Sequence, residues 1–162
     1  MKTKKILFGI IAALTVIMVA GCSTTSKQTD KQNEPAKQTE KVSKKEMSVT
    51  KTVNNMDMKI ADIQTTENGK GSKNIVNIEM KFVNNDSTET GVGAYDFKLK
   101  AADKTYEVSD SGNNFGDTFK PGKTLTGHMY FELPKDVKTA QLIYTPQKKE
   151  LANWNIAIPE AK

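Results

Sequence analysis

Thr124-Leu125-Thr126-Gly127-His128-Met129-Tyr130-Phe131-Glu132-Leu133 alternates in polarity along its length. Leu125, Met129, Phe131 and Leu133 form one set; Thr124, Thr126, His128, Tyr130 and Glu132 form the other. Successive side chains of a strand point to opposite faces, so this pattern predicts a half-buried strand with one face in a core. The same period recurs in both directions along the chain. Val76, Ile78, Met80 and Phe82 alternate with Asn77, Glu79 and Lys81, and Tyr95, Phe97 and Leu99 alternate with Asp96, Lys98 and Lys100. Trp154, Ile156 and Ile158 repeat it near the end.

Turn chemistry separates these runs. Asn68-Gly69-Lys70-Gly71, Asn84-Asn85-Asp86, Ala102-Asp103-Lys104 and Lys120-Pro121-Gly122-Lys123 supply the positive-φ and fixed-φ residues that turns need. No amphipathic run of helical period follows residue 47, and no internal repeat is found. Short strands punctuated this way predict an all-β antiparallel sandwich of immunoglobulin-like type, with a barrel as the alternative. The antibody Cys…Trp…Cys staple is absent, so packing alone must hold the two sheets together.

Phe119 to Pro134 also resembles a family signature, Pro-Gly-x-x-x-x-Gly-x-x-x-Phe-x-x-Pro, here carried by Pro121, Gly122, Gly127, Phe131 and Pro134. The signature is that of an immunoglobulin-like domain of bacterial lipoproteins, domain of unknown function 4352. Phe82-Val83-Asn84-Asn85, Phe97-Lys98-Leu99 with Tyr106, and Leu142-Ile143-Tyr144 are similar to further landmarks, spanning Met47 to Ile158. The resemblance implies an immunoglobulin-like fold and no particular activity. Within the signature, Pro121-Gly122 starts a strand and Gly127 leaves room for a neighbour or a bulge.

The start of the chain reads differently. Lys2, Lys4 and Lys5 precede an apolar run from Ile6 to Ala20, which ends at Val19-Ala20-Gly21-Cys22. A basic start, a short apolar middle and a small-residue site make an export signal. The run has 15 residues, short of the roughly 20 that a spanning helix needs. A small-residue site against the chain's only cysteine resembles the lipobox of bacterial lipoproteins. That resemblance implies cleavage between Gly21 and Cys22 and a diacylglycerol thioether on Cys22. Two acyl chains hold a protein at a membrane stably, where one holds it marginally. The expected layout is a signal peptide at 1–21, a lipidated cysteine and flexible tether at 22–46, and the sandwich domain at 47–162. The tether sequence STTSKQTDKQNEPAKQTEKVSKKE has too little apolar surface to fold, and as a coil its ends lie about 25–30 Å apart.

Charge excludes one class of partner. The chain has a formal charge of +5, yet Met47–Lys162 holds 15 lysines and 15 acids, and there is no arginine. A neutral domain without arginine forks is not a nucleic-acid reader. Arginine-free, lysine-rich usage fits an AT-rich genome and a Gram-positive surface rather than a periplasm. The expectation is a non-catalytic binding module anchored at the cell membrane and facing outside. It meets an envelope protein or cell-wall component, has no cofactor, and its ligand is unknown.

The candidate sites are few. His128 is the only histidine, so acid–base chemistry at neutral pH would run through it. No nucleophile motif accompanies it. The alternative reading is an envelope metal site. His128 with Met129, Met56 and Met58 would suit Cu(I), but neighbouring strand residues face opposite ways. The loop Asp110-Ser111-Gly112-Asn113-Asn114-Phe115-Gly116-Asp117 is rich in oxygen ligands for Ca²⁺. An EF-hand would place a glutamate at its twelfth position, where this chain has Pro121. Tyr106, Tyr130 and Tyr144 are candidate aromatic anchors, or else cross-strand packing partners.

Overall fold

A computed structural model describes residues 49–162. The signal, Gly21, Cys22 and the tether lie outside the described residues. The described residues form ten strands: β1 Lys51–Val53, β2 Met56–Glu67, β3 Lys73–Asn84, β4 Thr90–Gly93, β5 Phe97–Ala101, β6 Lys104–Glu107, β7 Gly116–Phe119, β8 Thr124–Pro134, β9 Thr139–Tyr144 and β10 Ala152–Ala157. One sheet runs β1-β2-β3-β8, the second β10-β9-β5-β6, and β4 pairs with β7 as a separate ribbon. All pairings are antiparallel. The sheets stay separate, so the sandwich is borne out and the barrel is not.

The alternation does what it predicts in the first sheet. Val76 pairs with Phe131, Ile78 with Met129, and Phe82 with Leu125. All except the partly buried Leu125 are fully buried. In β2 the inward set Met56, Met58 and Ile60 gives way to Ile63 and Thr65. The register slips between Ile60 and Asp62, so Ala61 is an extra residue that shifts the inward parity by one. Trp154, Leu142 and Leu99 line up across the second sheet and close the core from the other side. Each large side chain so buried contributes roughly 1.5–3 kcal/mol.

Two turns match their sequence. Lys120 to Lys123 closes through Lys123 N–H donating to the Lys120 carbonyl (3.1 Å), with Gly122 at φ +70° where a side chain would be strained. The β1–β2 hairpin turns at Asn54-Asn55, whose φ values of 48° and 59° make the left-handed two-residue link that a twisted hairpin favours.

The segment between β6 and β7 clasps the outer edge of β8. Ser109 N–H donates to the Tyr130 carbonyl (2.7 Å), Phe115 N–H to the His128 carbonyl (2.9 Å), and Tyr130 N–H to Asn114 Oδ1 (3.0 Å). It fits because Gly127 has no side chain: a Cβ there would fall inside the Phe115 ring. The ladder runs unbroken through Met80 and Gly127, so Gly127 serves a neighbour and not a bulge. Phe115 then joins Phe82 (centroids 5.3 Å) and Phe97 (6.5 Å), and Phe97 meets Tyr144 (5.0 Å).

Two expectations need correction. Tyr95 is not on the core face of a strand; it sits in a 3₁₀ turn, Ala94–Asp96, and is 68% exposed. The stretch Asp110–Asp117 is not one loop, because Gly116 and Asp117 begin β7. In both cases pairing with a distant segment, β4 with β7, overrides the local pattern. Of the two readings of Tyr144, cross-strand packing holds: it is buried and pairs with Phe97.

Candidate functional site

His128 lies on the solvent side of the first sheet, opposite Glu79, whose other register partner is Asp62. Its Nδ1 is 3.2 Å from Asn77 Oδ1 and its Nε2 is 4.0 Å from Glu79 Oε2. Met129 points to the opposite face and is fully buried, as is Met58; Met56 is buried with them. The structure therefore separates the imidazole from the thioethers that would complete a soft-metal set. The oxygen-rich stretch is likewise committed. Asn114 donates to the Ser109 carbonyl (2.7 Å) and accepts from Tyr130, Asp110 accepts from the Tyr95 hydroxyl (3.1 Å), and Asp117 accepts from Thr118 N–H (2.7 Å). Among the described residues no three His, Cys, Asp or Glu groups converge to hold a metal ion. Tyr106 and Tyr130 are both half-buried.

The site that strand alternation misses lies at the β4–β7 ribbon. An open depression of about 440 Å³ is lined by Gly91, Val92, Gly93, Asp96, Gly116, Asp117 and Thr118. Tyr95, next in the chain to Asp96, is the exposed large hydrophobic side chain of the described residues. Asp96 is held in place twice: Oδ2 accepts from Gly93 N–H (2.9 Å), and its carbonyl accepts from Thr145 N–H (2.7 Å). A paired Gly93 and Gly116 flank the ribbon's end. Strand alternation gives no sign of the Gly93–Gly116 pair, which joins residues 23 apart in the chain.

The family model described as "Domain of unknown function (DUF4352)" matches residues 36–150. The chain belongs to this family. Among solved structures, the fold is similar to that of YcdA, a candidate lipoprotein of Bacillus subtilis, with TM-score 0.55 and 20% identity over 67% of this chain and 38% of YcdA. The chain thus spans well under half of YcdA's length. It is also similar to MPT63, a secreted protein of Mycobacterium tuberculosis, with TM-score 0.54 and 15% identity over 67% of this chain and 92% of that one. YjhA of Bacillus subtilis aligns with TM-score 0.50 and 14% identity over 70% of this chain and 98% of YjhA. At these identities the likeness is one of fold. No match was found among curated proteins.

In this DUF4352 domain the electrostatics of the depression are one-signed. The ion pairs of the described residues are Lys73–Glu132, Lys135–Glu67 and His128–Glu79, none of which involves Asp96 or Asp117. The carboxylates at the rim therefore have no cationic partner among the described residues. Beneath them, burial and then the charge of Asp96 push the Tyr144 hydroxyl up to about 12. Chemically the depression offers hydrogen-bond acceptors and glycine main chain. No helix of the described residues is long and apolar enough to cross a membrane.

Proposed function

We propose that this DUF4352 protein is a non-catalytic binding module, held at the outer face of the cell membrane by a lipid on Cys22, and that it meets its ligand at the β4–β7 end. The observation that carries the binding role is the open, acceptor-lined depression at the β4–β7 ribbon; Tyr95, next in the chain to its Asp96, is the exposed large hydrophobic side chain of the described residues at 68%. Anchoring is supported by Val19-Ala20-Gly21-Cys22 after a basic, apolar start, and the structural likeness to a candidate lipoprotein agrees with it. A non-catalytic role is supported by the use made of His128, which faces an amide and a carboxylate and no nucleophile.

Two measurements test this. Growth with a labelled fatty acid should mark the wild-type protein and leave Cys22→Ala unmarked and shed into the medium; label in the variant would sink the anchor. A photo-cross-linking residue placed at Tyr95 in living cells should yield a specific adduct with an envelope component, while one at Thr66 should not. Equal yields at both positions would remove the β4–β7 end from the proposal.

A further inference from the structure

We propose that Asn68 is a self-modification site. Its side-chain amide is attacked by the following peptide nitrogen and converts, through a cyclic imide, into an aspartyl or isoaspartyl residue. Asn68-Gly69 is the one Asn-Gly pair in the chain, and it lies in the turn between β2 and β3. Asn68 closes that turn with its own main chain. Its N–H donates to the Lys73 carbonyl (2.9 Å), and its carbonyl accepts from Gly71 N–H (2.8 Å).

The side chain is held at both ends. Ser72 N–H and Lys73 N–H donate to Oδ1 (3.0 and 3.2 Å), and Nδ2 donates to Glu132 Oε1 (3.1 Å). Main-chain N–H groups call for the oxygen and a carboxylate for the nitrogen, so the amide has one orientation. Two donors on Oδ1 are what attack at Cγ requires, because negative charge gathers on that oxygen as the carbon becomes tetrahedral. The nucleophile is open to solvent. Gly69 is exposed, and a Cβ there would meet nothing within 4 Å, so the peptide is free to rotate towards Cγ. Asn84 and Asn114 are pinned in a comparable way, but Asn85 and Phe115 follow them, and their side chains restrict that rotation.

In the first step Gly69 N bonds to Asn68 Cγ and gives up its proton. The Cγ–Nδ2 bond breaks, and the nitrogen leaves with that proton as ammonia. Water then opens the ring at either carbonyl, giving aspartate or isoaspartate. Both products act on the same corner of the fold. A carboxylate replaces the donor to Glu132, whose cationic partner is Lys73 Nζ at 3.5 Å, so two like charges meet there. Isoaspartate also adds a methylene to the main chain, between the N–H and the carbonyl that close the turn. Loss of ammonia makes the change one-way, and the β2–β3 turn records the age of the molecule.

The test incubates the purified full-length chain at neutral pH in heavy-oxygen water, folded and in urea, and maps its peptides by mass spectrometry. Aspartate and isoaspartate carrying the heavy label should accumulate at residue 68. Conversion should run about tenfold faster in the folded chain than in urea, where the two donors to Oδ1 are gone. Gly69→Ala, with melting as the control for folding, should slow it about tenfold. The comparison with urea stands without any variant. An unchanged Asn68, equal or slower conversion in the folded chain, or an undiminished rate in folded Gly69→Ala would overturn the assignment. So would a cross-linked peptide joining Lys73 to Asn68, which would make the lysine and not the glycine the nucleophile.

Discussion

Gly127 and Gly116 are both strand glycines, and the structure predicts opposite responses to a methyl group. Gly127→Ala drives its Cβ into the Phe115 ring, so the clasp over β8 or the aromatic cluster must shift. Overpacking of this kind costs about 1–3 kcal/mol, which should lower the urea midpoint clearly. Gly116→Ala meets open space, and removing a strand glycine should leave stability unchanged or raise it by about 0.5–1 kcal/mol. Equal destabilisation by the two would contradict the packing described here. Tyr144 gives a prediction in pH. Its hydroxyl ionises near 12 when folded and near 10 when unfolded, so the folded state holds the proton more tightly. The associated stability is full below pH 10 and is lost as pH rises through 12. Denaturant midpoints measured across this interval should fall for wild type and fall less steeply for Tyr144→Phe.

At the scale of elements, the clasp from Ser109 to Phe115 protects what would otherwise be the open edge of an eleven-residue strand. Asn114 is its pin, since one side chain joins the Ser109 carbonyl to the Tyr130 amide. Asn114→Ala should cost about 1–3 kcal/mol and make the Tyr130 amide exchange faster than its neighbours on β3. Uniform exchange across β8 would mean that the clasp is already open in solution. The β1–β2 hairpin behaves in the same local way. Asn54 and Asn55 adopt left-handed angles that asparagine tolerates and β-branched residues do not. Thr52 donates to Asp57 (2.5 Å), and this hydrogen bond, followed by one from Asn85, holds the Asp57 carboxyl below the usual range. That support is present above the ordinary aspartate pKa and lost as pH falls through the lowered one, so Thr52→Ala should bring the Asp57 titration back toward normal in NMR.

At the scale of the molecule, a neutral sandwich on a polar segment should behave as an independent unit. Limited trypsin digestion of intact, wall-stripped cells should cut among the lysines between Lys27 and Lys45 and release a resistant fragment that begins near Met47. Protection of the whole protein from trypsin would contradict an outward-facing domain. Consecutive residues alone mark β3, β8, β10 and most of β5 with their buried faces, the Pro121-Gly122 turn and the family, because alternation, turn chemistry and a contiguous signature are all local in the chain. Ala61, Tyr95, Phe115 and Gly116 take their places from contacts between segments far apart in the chain. The bulge at Ala61 depends on the register against β3, and the clasp depends on β8 offering a gap at Gly127. The bare ribbon exists only when Gly93 pairs with a glycine 23 residues away. Strand alternation is a local property of the chain, whereas a surface is made by segments that meet only after folding.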